Sequence, residues 1–163
     1  MRLDLAKVLE EGGVVGETVP LGTMESEQGG SLETGPAVVR GRVTRASRGY
    51  EFDASLETSI TLECVRCLEP FSQSLAFEFH LLFVSRDDEP HGGENQIQSA
   101  DCDICLCEEG RVDLTAVARE QVYLHIPLKP VCTETCRGLC ITCGENLNAG
   151  RCRCNRPEAV PVV

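Results

Sequence analysis

The chain has 163 residues, 42% of them hydrophobic, with no tryptophan and a formal net charge of −11. That length suits one compact domain with a small appended module, whose core must come from Leu, Val, Ile and Phe. No run approaches the ~20 apolar residues of a membrane span, and the N-terminus, MRLDLAKVLEEGG, has no hydrophobic signal region, so a cytoplasmic protein with no membrane partner is expected.

Residues 10–35, rich in Gly, Glu, Ser and Thr, read as loop or short edge structure. A strand is predicted over Pro36 to Ala46, with Val39, Gly41 and Val43 on one side and Arg40, Arg42 and Thr44 on the other. The turn Ser47-Arg48-Gly49 leads into alternation from Tyr50 to Cys64, with mostly apolar even positions and polar odd ones. One face is therefore buried and one wet, and a strand this long is expected to curve or carry a bulge. Cys64-Val65-Arg66-Cys67 turns the chain into a third strand through Leu75, Phe77, Phe79, Leu81 and Phe83. Residues 85–110 are acidic and without period, which predicts a long loop. Asp113 can N-cap a helix to about His125, with Leu114, Val117, Ala118 and Val122 on one face and Pro127 and Pro130 beyond it. The remaining tail has no hydrophobic period, so something other than apolar burial must order it.

The expected fold class is α+β: a curved antiparallel β-sheet (a meander or partial barrel), one packed helix and a C-terminal zinc-binding segment. Residues 1–126 would form the sheet-and-helix domain with its acidic loop, and residues 127–156 a cysteine-rich tail packed on it.

Charge is uneven. Residues 1–35 carry a net −5 and residues 85–113 a net −7, whereas residues 40–50 carry +4 and residues 129–156 carry +3. Binding to nucleic acid neutralises phosphates, so an acidic chain is a poor general nucleic-acid binder and any contact must be local. Arg40, Arg42, Arg45 and Arg48, with Arg137, Arg151, Arg153 and Arg156, are the candidate contacts; a merely solvated strand face is the bland reading of the first group.

Eleven cysteines, an odd number without an export signal, point to metal ligands rather than disulfides, because a reducing cytosol keeps thiols free. Cys140-Ile141-Thr142-Cys143-Gly144 makes a tight turn whose N–H groups face both sulfurs, and the glycine tolerates positive φ. Cys152 with Cys154, Cys132 with Cys136, and Cys64 with Cys67 supply three further pairs. One arrangement puts Cys140, Cys143, Cys152 and Cys154 around one structural Zn²⁺ and joins Cys132 and Cys136 to Cys64 and Cys67 around a second. Another puts a single zinc on four of the six C-terminal cysteines, and spacing does not choose between them. Cys102, Cys105 and Cys107 either complete a site with Cys64 or Cys67 or are plain thiols on a loop.

The rival reading is a cytosolic thiol-redox or metal-handling protein, but a redox CxxC should open a helix within a βαβ unit, and neither CxxC here does. His80, His91 and His125 read as weak ligand candidates, and His125, next to a buried helix end, as a structural histidine. No phosphate loop, nucleophile elbow or HExxH appears, so neither an enzyme nor a small-molecule substrate is expected.

Four stretches together resemble the YceD family: C-x-R-C-L-x-P-F from Cys64 to Phe71, D-L-x5-E-Q from Asp113 to Gln121, P-x-x-P-x-C from Pro127 to Cys132, and C-x-G-L-C-x-x-C-G-x-N-L-N from Cys136 to Asn148. The similarity covers roughly residues 36–154, and the acidic insert with its three cysteines departs from the pattern. The resemblance implies a non-enzymatic factor for accumulation of large-subunit (23S) ribosomal RNA, acting in its processing or in subunit assembly. Its partners would be a large-subunit rRNA precursor, a ribosomal protein, or both. Some members lack the C-terminal cysteines, which makes zinc a device of the fold rather than of the activity.

Overall fold

The structure, a computed structural model, describes residues 1–25, 31–85, 104–150, 152 and 154. The chain divides into two units, one of residues 1–60 and 73–126, the other of residues 61–72 and 127–163.

Most of the 15-residue strand β6 (Gly49–Glu63) lies in the first unit; its even positions from Phe52 to Leu62 are all buried while Asp53, Glu57, Ser59 and Glu63 are exposed. Antiparallel to it runs β5 (Ala37–Ala46), with Val39 opposite Leu56 and Val43 opposite Phe52. On the far side of β6 lies β7 (Pro70–Ser85), so three consecutive strands are neighbours as the alternation predicts. Two further strands extend the sheet: β2 (Val14–Val19) pairs antiparallel with β5, and β8 (Ile104–Cys107) pairs parallel with β7. The order β2-β5-β6-β7-β8 has two distinct ends, so the sheet is mixed and does not close into a barrel.

These strands correct the expectation of a purely antiparallel sheet. Parallel neighbours need a crossover of a dozen or more residues, and the acidic segment between β7 and β8 is long enough to supply one. The predicted loop over 85–110 therefore contains a strand, while residues 86–103, with His91 and Cys102, lie outside the described residues. The N-terminal third also holds more structure than expected. β1 (Arg2–Asp4) pairs with β9 (Arg111–Asp113), and β3 (Thr23–Glu25) pairs with β4 (Ser31–Glu33).

There are two helices among the described residues rather than one. α1 (Leu5–Glu10) is capped by Asp4, whose side chain accepts from the Lys7 N–H, and it buries only Leu5. α2 (Leu114–Leu124) begins at Asp113, which accepts from the Thr115 N–H, and buries Leu114, Val117, Ala118 and Val122, the predicted face, together with Gln121. The Arg119 guanidinium donates to the Leu21 carbonyl at 3.1 Å and the Tyr123 hydroxyl to that of Glu25, which ties the helix to the β3 region. His125 is structural: its ring stacks on Phe77 at 3.6 Å and its Nδ1 lies 2.8 Å from the Gln121 carbonyl.

Leu56 is fully buried at the middle of β6. Leu56→Ala should cost about 3 kcal/mol through lost transfer energy and the cavity left behind. Urea unfolding at constant zinc measures this, and a cost below about 1 kcal/mol would contradict a close-packed sheet core.

Candidate metal centres

Within the second unit the cysteines converge in two groups of four. Cys64 and Cys67, in the turn after β6, meet Cys132 and Cys136; Cys140 and Cys143 meet Cys152 and Cys154. In each group all four sulfurs lie within 4.8 Å of one another. Cys64 Sγ is 3.8 Å from Cys136 Sγ, Cys67 Sγ is 3.7 Å from Cys132 Sγ, and Cys152 Sγ is 3.4 Å from Cys140 Sγ. A disulfide would need about 2.05 Å. Four thiolates at ~2.3 Å around one tetrahedral zinc stand roughly 3.8 Å apart, so donor type and spacing both fit such an ion. A redox dithiol needs two sulfurs; here each has three sulfur neighbours. Of the pairings open to the sequence, the sulfurs gather as the two-centre one would need. Cys105 and Cys107 sit in β8 and belong to neither group.

The two CxxC turns are copies of one backbone device. In the first, the Leu68 N–H donates to the Cys64 carbonyl at 2.8 Å and the Cys64 N–H to that of Glu69 at 3.0 Å. In the second, Gly144 N–H donates to the Cys140 carbonyl at 2.8 Å and Cys140 N–H to that of Glu145 at 2.8 Å. Both turns thus read C-x-x-C-x-E, and the residue after the second cysteine has positive φ: 60° at Leu68 and 73° at Gly144. Glycine adopts that conformation without cost, whereas leucine is strained there.

The copies share their electrostatics. Burial pushes the Cys64 thiol up, but the N–H groups of Cys132, Cys67 and Arg66 more than offset it and hold the pKa at about 6. Cys140 is likewise held at about 6, chiefly by the N–H groups of Cys143 and Thr142. The other sulfurs absorb the conflict. The Glu69 N–H favours the Cys67 thiolate, yet burial and the three neighbouring sulfurs outweigh it and push Cys67 up to about 12. Cys154 is pushed up to about 12, first by the Cys143 sulfur and then by burial. Burial raises Cys132, and the Cys140 sulfur raises Cys152. Four thiolates cannot crowd together without a cation, and a divalent ion removes the repulsion.

Side chains outside the ligand set brace the first centre. The Asn148 amide donates to Cys136 Sγ at 3.3 Å and lowers that thiol's pKa, while its Oδ1 accepts from the Arg137 N–H at 2.8 Å. Arg66 donates to the carbonyls of Glu134 and Cys136, both at 3.1 Å. The tail crosses the first turn at Gly138, where a Cβ would lie 2.9 Å from the Arg66 carbonyl oxygen. Spacing alone marks neither Asn148 nor Arg66 as a support; of these features, only the C-x-x-C-x-E repeat is legible in the sequence.

The candidate contact arginines are distributed rather than gathered. Arg40 and Arg42 share the wet face of β5, where Arg42 stands opposite Asp53 and Arg40 lies 3.8 Å from Glu57. Arg45 stacks over Tyr50 at 4.8 Å, and Arg48 is exposed in the turn before β6. His80 on β7 is 2.7 Å from Asp53, so the carboxylates of β6 meet partners on both sides. Arg137 is exposed in the second unit; Arg151, Arg153 and Arg156 lie outside the described residues.

Turn geometry and thiol pKa values each set an expected outcome. At Gly144 an added Cβ would meet nothing within 4 Å, so Gly144→Ala pays only for positive φ. It should weaken zinc binding about fivefold, roughly 1 kcal/mol, by competition with a chelator, while Leu68→Gly should leave affinity equal or higher. A thiol held below its usual 9.0 favours the folded, metal-ready state at high pH and loses that contribution as pH falls through about 6. Metal should therefore be held less tightly as pH falls toward about 6, and loading the first centre at about pH 7.5 should liberate at least two protons, those of Cys67 and Cys132, in a weakly buffered titration.

The family model described as "Large ribosomal RNA subunit accumulation protein YceD" matches residues 52–161. The "Large ribosomal RNA subunit accumulation protein YCED homolog 1, chloroplastic" of Zea mays is 31% identical over 156 residues, 82% of this chain and 53% of its own length. The Arabidopsis thaliana protein of the same name is 29% identical, covering 76% of this chain and 45% of its own length. The uncharacterized protein YlbN of Bacillus subtilis (strain 168) is 25% identical, covering 71% and 63%. This chain thus spans about half the length of the plant relatives. No solved structure matches it. With a family model over more than half of its length and a relative above 30% identity, the chain belongs to the YceD family.

Proposed function

We propose that this chain is a non-enzymatic factor that supports accumulation of large-subunit (23S) ribosomal RNA by acting on a subunit-assembly intermediate in the cytoplasm. Family membership carries the proposal. The two all-sulfur clusters support its non-catalytic character, since four thiolates close the coordination sphere of a zinc ion, whereas catalytic zinc keeps a position open for water or substrate. Zinc in both centres is structural in this reading: Cys64, Cys67, Cys132 and Cys136 hold one ion, and Cys140, Cys143, Cys152 and Cys154 hold the other.

The partner is precursor RNA, met through Arg137, Arg151 and Arg153 and through Arg40, Arg42, Arg45 and Arg48. Carboxylates of β6 offset Arg40 and Arg42, so Arg45, Arg48 and the second unit carry the larger share of contact. With −11 overall, attraction depends on these local charges and falls with salt.

Depleting the protein in a cell that encodes it should lower the ratio of large- to small-subunit rRNA; an unchanged ratio would sink the proposal. Purified protein should co-sediment with large-subunit precursors, and each arginine removed from a phosphate contact should flatten the plot of log affinity against log salt by about 0.7 to 0.9. If reversing Arg45 and Arg48 to Glu changes neither affinity nor slope, the contact lies elsewhere, on a ribosomal protein suited to the acidic surface.

A further inference from the structure

We infer that the two cysteine centres have different jobs: the Cys64 centre is a permanent staple, and the Cys140 centre exchanges its ion with the surroundings, so that the Cys140–Gly144 turn orders and loosens with zinc supply. This rests on both clusters holding zinc and goes beyond it by assigning regulation to one of them.

Access is the first ground. Cys64, Cys67 and Cys136 are 0%, 3% and 6% exposed and Cys132 is half-buried, with Phe71, Val131 and Leu139 packed against the cluster. In the other centre Cys143 is exposed and its three companions are half-buried. Zinc leaves a thiolate site through attack by an incoming ligand, so a solvent-open sulfur admits the competitor that a packed one excludes. The second ground is bracing. Asn148 holds Cys136 Sγ, and Arg66 clamps the carbonyls of Glu134 and Cys136. Around the Cys140 centre, a Cβ added at Gly144 or Gly150 would meet nothing within 4 Å among the described residues.

Chain topology is the third. Cys67 and Cys132 are 65 residues apart, and Cys64 and Cys136 are 72 apart. Their centre therefore depends on the β6–β7 turn and the tail being folded together. All four ligands of the other centre lie between residues 140 and 154, so its CxxC turn can open locally while Asn148 stays on Cys136. The shared C-x-x-C-x-E turn makes this contrast informative: the turns match in backbone, and only their surroundings differ.

The test uses the full chain loaded with zinc, in reductant, challenged with excess 4-(2-pyridylazo)resorcinol. One equivalent should leave about tenfold or more faster than the second, the size of effect that outer supports have on metal sites. Iodoacetamide added after the fast phase should mark Cys140, Cys143, Cys152 and Cys154 and spare Cys64, Cys67, Cys132 and Cys136, a measurement that needs no variant. Cys143→Ser should abolish the fast equivalent and keep the slow one, and Asn148→Ala should speed the slow one. Release in one phase, or labelling of the Cys64 group first, would overturn the division of labour while leaving structural zinc standing. Protein purified in reductant with no zinc would overturn both readings.

Discussion

Sulfur stands where hydrocarbon would in the second unit. Cys64, Cys67 and Cys136 form a buried cluster in that unit, and among the described residues Phe71, Val131 and Leu139 are the larger apolar side chains packed against them. Such a nucleus cannot offset the conformational entropy of an otherwise irregular tail. Mutual repulsion makes matters worse, because four sulfurs within 4.8 Å cannot all be thiolates on their own. A divalent ion answers both problems, since thiolate–zinc bonds are worth on the order of 10–16 kcal/mol per structural site. Much else in the unit follows: the N–H groups turned toward sulfur, the glycine where the tail crosses a turn, and the amide on Cys136.

The repeated turn shows how a small device is reused in two contexts. Each copy presents its first cysteine to N–H groups, which favours the thiolate and prepares the ligand before metal arrives. Leu68, itself exposed, adopts a conformation that glycine takes at the equivalent position, so strain is tolerated where the buried cysteines before it and the Arg66 clamp determine the backbone. At Gly144 a Cβ would meet nothing within 4 Å among the described residues, and the residue that needs no support stands there.

In the first unit the alternation of β6 separates functions by face. Its even side builds the core with Val39 and Val43, while its odd side sends Asp53 and Glu57 toward His80 and Arg40. The +4 stretch on β5 is thus less positive in three dimensions than along the chain, because cross-strand neighbours place acids beside its bases. The plant relatives are about twice as long as the matched region, and their names assign ribosomal RNA accumulation to the whole proteins.

Sequence by itself determined the features that depend on near neighbours. Period-2 burial over β6, the Asp113 cap and apolar face of α2, and the CxxC turns are all local, since the side-chain repeat and the turn chemistry act within a few residues. Even α1 has Asp4 ahead of it and glycines after it, though one buried leucine in six residues makes a faint pattern. Tertiary structure alone decided what joins across the chain. Only folding sets β8 parallel to β7, assigns Cys132 and Cys136 to Cys64 and Cys67, and brings Asn148 to a sulfur. Sulfur is a ligand of the same kind at every cysteine, so spacing permits many partitions; the path of the backbone brings together four at a time and leaves one centre packed and the other open.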